Sequence, residues 1–89
     1  MGRQRYPPLT PSEVVAILIA LKFTLKRQVG SHCIYELPGS SARLRSVVTV
    51  DMNESDFDKF LIKSMIRQSN HSREEFYGAT ERTRKKIQP

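Results

Sequence analysis

The apolar residues of this 89-residue chain change their spacing at Phe23, from a period of about 3.6 residues to one of about 2, so a helix must feed almost directly into extended strands. Before the switch, Leu9-Thr10-Pro11-Ser12-Glu13-Val14 carries a dense set of helix-start signals. Thr10 is placed to cap, Pro11 suits the first helical position, and Glu13 can reach back to complete a capping box. Leu9 and Val14 can staple the entry. Val14, Ile17, Leu18 and Leu21 then recur on one helical face, which predicts a helix over 11–21. Val15, Ala16, Ile19 and Ala20 make its other surfaces apolar too, so cover on more than one side is expected, from the sheet or from a protein partner.

After the switch, residues 23–28 and 31–37 alternate around Val29-Gly30 and predict a β-hairpin. A two-residue turn at Val29-Gly30 would set Arg27 opposite His32 and Leu25 opposite Ile34, all on one face. A turn-rich loop, 38–42, precedes a third strand over 46–50. Ser55-Asp56-Phe57-Asp58 opens a second helix with Phe57, Phe60, Leu61, Ser64 and Met65 at helical spacing, and Ser72-Arg73-Glu74-Glu75 opens a short third one that Gly78 stops. Asp51, Glu54, Asp56 and Asp58 read as acids offsetting the positive end of the second helix. The expected organisation is a flexible N-terminal arm over 1–8, one domain over 9–78, and a frayed basic tail over 79–89.

Charge is divided unevenly along the chain. Residues 1–50 carry a net +5, 51–81 a net −3 and 82–89 a net +4. That asymmetry points the first half and the tail toward a polyanion; a plain solubilising role is the alternative. The lone Cys33 cannot form an internal disulfide, and the longest apolar stretch, 14–21, is far short of the roughly 20 residues needed to span a bilayer. With no secretory leader expected from the basic, proline-broken N-terminus, the reading is cytoplasmic. The order of helix, three antiparallel strands and two helices on one face of the sheet is an α+β class that matches the double-stranded-RNA-binding fold.

The run Lys26-Arg27-Gln28-Val29-Gly30-Ser31-His32-Cys33-Ile34-Tyr35 resembles the hairpin of the HicA (YcfA-like) messenger-RNA interferases, whose second strand opens on Gly-Ser-His. Val47-Val48-Thr49-Val50 is similar to that family's third strand, and 62–69 followed by 72–76 to its closing helices, so the likeness runs from about Pro11 to Phe76. It implies toxin-type RNA cleavage with His32 essential, and a HicB antitoxin partner. Two departures stand out: Lys22 occupies the place of a glycine that ends the first helix in relatives, and Asp51-Met52-Asn53 replaces a frequent proline and histidine.

The residues themselves suit that chemistry. RNA brings its own nucleophile, the 2′-hydroxyl, so a proton acceptor and cations on the phosphate suffice, with no cofactor. An unperturbed histidine has a pKa near about 6.5, and Arg27 and Lys26 can hold phosphate oxygens. Gly30 permits the tight turn, Ser31 can donate to phosphate or imidazole, and Tyr35 can stack on a base or pack in the sheet. Lys59, Lys63 and Arg67 form a stripe that either tracks RNA phosphates or is a solvated helix face. His71 reads as a loop residue. No metal site is expected: the stretch from Asp51 has Asp56 and Ile62 where a calcium loop needs glycine and glutamate. A noncatalytic RNA-binding module, or a protein-interaction domain docking through the first helix, remain the other readings.

Overall fold

A computed structural model of the chain describes residues 5–88. Helix α1 (Pro11–Ala20) begins as its sequence dictates: the Thr10 hydroxyl accepts from the Glu13 N–H at 3.2 Å while the Glu13 carboxylate accepts from the Thr10 N–H at 2.9 Å. Its apolar stripe, Val14, Ile17 and Leu18, is fully buried. The opposite surface is not covered by the described residues, since Ala16 and Ala20 are exposed and Ile19 is 57% exposed.

At the other end of α1, Phe23 N–H donates to Leu18 O at 2.9 Å and Lys22 N–H to Ile19 O at 3.0 Å, the paired bonds of a Schellman cap. Such a cap needs a left-handed residue, and here Lys22 holds it with φ +76°. A lysine Cβ is strained there and glycine is not. Lys22→Gly is therefore expected to raise stability by about 1 kcal/mol, seen as a rise of about 4–8 °C in melting temperature for a domain of this size.

The three strands β1 (Thr24–Val29), β2 (His32–Leu37) and β3 (Ser46–Asp51) form an antiparallel sheet in the order β1-β2-β3. The hairpin differs from its expected register. The turn is Gly30-Ser31, one residue later, with Gly30 at φ +59° and Ser31 at negative φ, as in a type II′ turn with glycine first. His32 consequently faces Val29, and Arg27 faces Ile34. Beyond that pair the register slips at Lys26, which bulges out of the ladder, so that Leu25 faces Tyr35.

Helix α2 (Lys59–Ser69) is capped by Asp58, whose carboxylate accepts from the Leu61 N–H at 3.0 Å; Ser55 is not the cap. Helix α3 (Arg73–Gly78) has the expected capping box, Ser72 with Glu75. Gly78 does not stop the chain in a left-handed conformation. Ala79 remains in the right-handed helical region and leads to a further helix, α4 (Glu81–Arg84). One face of the sheet, through Cys33, Tyr35, Val48 and Val50, meets Val14, Ile17 and Leu18 of α1, Ile62, Met65 and Ile66 of α2, and Phe76 and Tyr77 of α3 in a single core. The result is a two-layer α+β domain consistent with the double-stranded-RNA-binding arrangement.

Both ends make contacts with the domain. Thr83 of α4 is buried and donates to Tyr77 O at 2.6 Å, while Arg82 and Lys86 reach the buried Glu13 carboxylate at 3.4 and 3.6 Å. Ile87 packs on the core. Residues 1–4 of the expected N-terminal arm lie outside the described residues. Its remainder is tied down: Tyr77 Oη donates to Pro7 O at 2.7 Å and Tyr6 packs against the core.

Candidate active site

Strand pleating decides which side chains can meet. Cys33 and Tyr35 point into the core, so His32, Ile34 and Glu36 point to the opposite, helix-free face of the sheet. On that outer face, β1 contributes Val29 and Arg27, and β3 contributes Asp51 and Thr49 opposite His32 and Ile34. The His32 side chain is 56% exposed.

His32 and Asp51 are direct cross-strand partners, and their side chains meet with Nε2 3.6 Å from Oδ2. This is an ion-pair distance for a protonated ring, longer than a hydrogen bond. The Asp51 carboxylate is itself fixed: its Oδ1 accepts from Ser31 Oγ at 2.8 Å and from the Asn53 N–H at 3.0 Å. Met52 N–H donates to Ser31 O at 2.8 Å and closes the β1–β2 turn onto the end of β3. The Asn53 N–H and then the Ser31 hydroxyl hold the Asp51 carboxyl below its ordinary pKa; burial opposes them by less than either, and the His32 charge adds the smallest lowering effect. The folded chain thus binds that proton less tightly than the unfolded chain. Its contribution to stability is present above the unfolded value of about 3.9 and is lost as pH falls through the lower folded one. Ser31→Ala removes one donor, so the Asp51 carboxyl should titrate at higher pH in that variant, as read by carboxyl-carbon NMR; an unmoved titration would detach Ser31 from Asp51.

Local reading of the sequence missed Asp51 as a partner of His32 and placed it at a helix start, yet it ends β3, and Asp58 caps α2. No local signal marks the pair, because the two residues are separated by β2, the following loop and β3. The Ser31 hydroxyl, read in the sequence as a donor to phosphate or imidazole, donates here to Asp51. The two basic residues of β1 part company. Arg27 forms no ion pair among the described residues, whereas Lys26, at the bulge, lies 3.7 Å from Glu36, which Arg45 also binds. The hydrogen bond from Arg45, ahead of the nearby charges, lowers the Glu36 pKa.

Residues 11–70, two thirds of the chain, match the model of a family described as HicA toxin of bacterial toxin-antitoxin. The chain belongs to the HicA toxin family. No curated protein and no solved structure matches it. The matched stretch runs from the first residue of α1 through the cap of α2 and so contains the whole outer face of this HicA toxin.

Other residues singled out in the sequence lie elsewhere. Tyr35 is 7% exposed and points into the core of the HicA domain, where burial raises its phenol pKa, so it cannot offer a ring to a base. Lys63 and Arg67 are exposed on α2, in the helical layer, with the sheet between them and His32. His71 is held by both nitrogens: Nδ1 lies 2.7 Å from Ser69 O and Nε2 3.1 Å from Arg43 Nη1. A carbonyl can only accept, so Nδ1 carries the proton and Nε2 accepts from Arg43. No lone pair is left for proton transfer. Among the described residues no group of three or more His, Cys, Asp or Glu side chains could hold a metal ion, and no helix is long and apolar enough to cross a membrane.

Proposed function

We propose that this HicA toxin is a metal-independent endoribonuclease of the cytoplasm that cuts messenger RNA with His32 as the proton-transfer group, and that a HicB-type antitoxin silences it. One observation carries this reading: an exposed imidazole stands beside a fixed carboxylate on a sheet face that also presents the guanidinium of Arg27, which has no ion pair among the described residues. Asp51 faces Nε2, and Nδ1 has no partner among the described residues, so it is the nitrogen open to substrate. His32 takes the proton of the 2′-hydroxyl as that oxygen attacks the neighbouring phosphorus. The P–O5′ bond breaks, O5′ takes a proton from water, and the products end in a 2′,3′-cyclic phosphate and a 5′-hydroxyl. Asp51 favours the imidazolium formed in that step, and Arg27 binds phosphate oxygens as negative charge builds on them.

The test is incubation of the purified chain with single-stranded RNA in excess EDTA. Cleavage leaving cyclic phosphate ends is expected, and so is growth arrest on expression that a neighbouring gene product relieves. RNA bound but left intact would replace the enzyme with a noncatalytic RNA-binding module.

A further inference from the structure

A second cluster of cations and aromatic rings lies on the helical layer, away from the His32 face. Residues 5–8 cross the start of α2 and leave a cavity of about 600 Å³ lined by Arg5, Tyr6, Lys59, Phe60 and Lys63, within the range of about 300–1,000 Å³ typical of ligand sites. The Phe60 ring is 70% exposed, although a ring of that size ordinarily seeks cover. Lys59 Nζ lies 5.3 Å from the Phe60 ring centre, and Lys63 Nζ lies 5.4 Å from that of Tyr6. Arg5, Lys59 and Lys63 form no ion pair among the described residues, and the Asp58 carboxylate that also lines the cavity is engaged as the cap of α2.

We infer that this cavity is a binding site for single-stranded RNA, taking an unpaired base against Phe60 and Tyr6 and its flanking phosphates on Arg5, Lys59 and Lys63. The inference rests on RNA being the substrate and names a second contact for it. The chemistry favours this occupant over two others. A duplex keeps its base faces stacked and has none to offer the rings. An acidic peptide would satisfy the cations and leave Phe60 in water. Exposed rings interleaved with unpaired cations are the pattern that serves single strands, with stacking on the rings and phosphates on the cations. Arg67, two turns along α2 from Phe60, extends the basic row away from the cavity. An RNA strand engaged here and at His32 has to pass around an edge of the sheet.

The test uses a 2′-O-methyl oligouridylate, which lacks the nucleophile and so reports binding without cleavage. Phe60→Ala is expected to weaken its binding by about five- to 150-fold, the range seen when one stacking ring is removed, and Phe60→Tyr to restore it. Phe60 is mostly exposed, so both variants should melt as the parent does. Lys63→Gln should lower the slope of log affinity against log salt by about 1. Binding unchanged in Phe60→Ala would overturn the inference, as would a polyglutamate peptide competing as strongly as the oligonucleotide. Cleavage of unmodified RNA by the parent chain, measured alongside, separates the two ideas. Cleavage with Phe60-independent binding overturns the cavity alone; Phe60-dependent binding without cleavage supports the cavity and overturns the catalytic role of His32.

Discussion

Replacing His32 with alanine is expected to slow RNA cleavage by about 10²–10⁴-fold, the usual contribution of one positioned proton-transfer group. The side chain is 56% exposed and makes no hydrogen bond among the described residues, so the fold should survive the change and the loss should fall on the chemical step. A cleavage rate measured at saturating RNA, with a melting curve on the same sample, checks both points. An unchanged rate would remove His32 from the mechanism. Asp51→Asn should slow cleavage less than His32→Ala does. Its carboxylate acts on the ring across 3.6 Å at a site open to water, where charge interactions are screened.

Phe76→Ala is expected to cost about 3–5 kcal/mol of stability, enough to consume a large part of the about 5–15 kcal/mol available to a domain of this kind. Phe76 is fully buried and meets the edge of the Tyr77 ring at 6.3 Å between centres. Truncating it removes apolar contact and leaves a hole in the core where α3 packs on α1 and α2, which rigid neighbours cannot fill. Urea unfolding followed by circular dichroism reads the loss directly. A loss below about 1 kcal/mol would place α3 outside the cooperative core, since that is less than the burial of so large a side chain contributes.

Elements with local causes were legible in the sequence. The Thr10 and Ser72 capping boxes, the apolar stripe of α1, the β-branched third strand and the glycine at the hairpin turn all act within a few residues of themselves. Features set by distant partners were not. The Lys26 bulge arises from the fit of one strand against the next, and without it the alternation of β1 reads as an unbroken ladder. The tail carries no apolar period, and its contacts with the domain come from Thr83 reaching Tyr77 O and from two cations converging on Glu13. Tyr35 shows the same limit from the other side: a tyrosine suits either face of a strand, and only the pleat shared with Cys33 decides. Within the candidate site, His32, Arg27, Gly30 and Ser31 stand in one contiguous run, whereas Asp51 joins them only through the pairing of β2 with β3.

The kink in the first strand bears on how many copies can share a solution. That strand is one of the two margins of the sheet, with one row of backbone donors and acceptors facing outward, a ready template for a neighbour's strand. An extra residue breaks the even spacing such a neighbour would need, and adjacent ammonium and guanidinium groups repel an identical margin brought against it. That edge of the sheet is thereby guarded against pairing with a second copy of itself by the same short basic segment that borders the histidine.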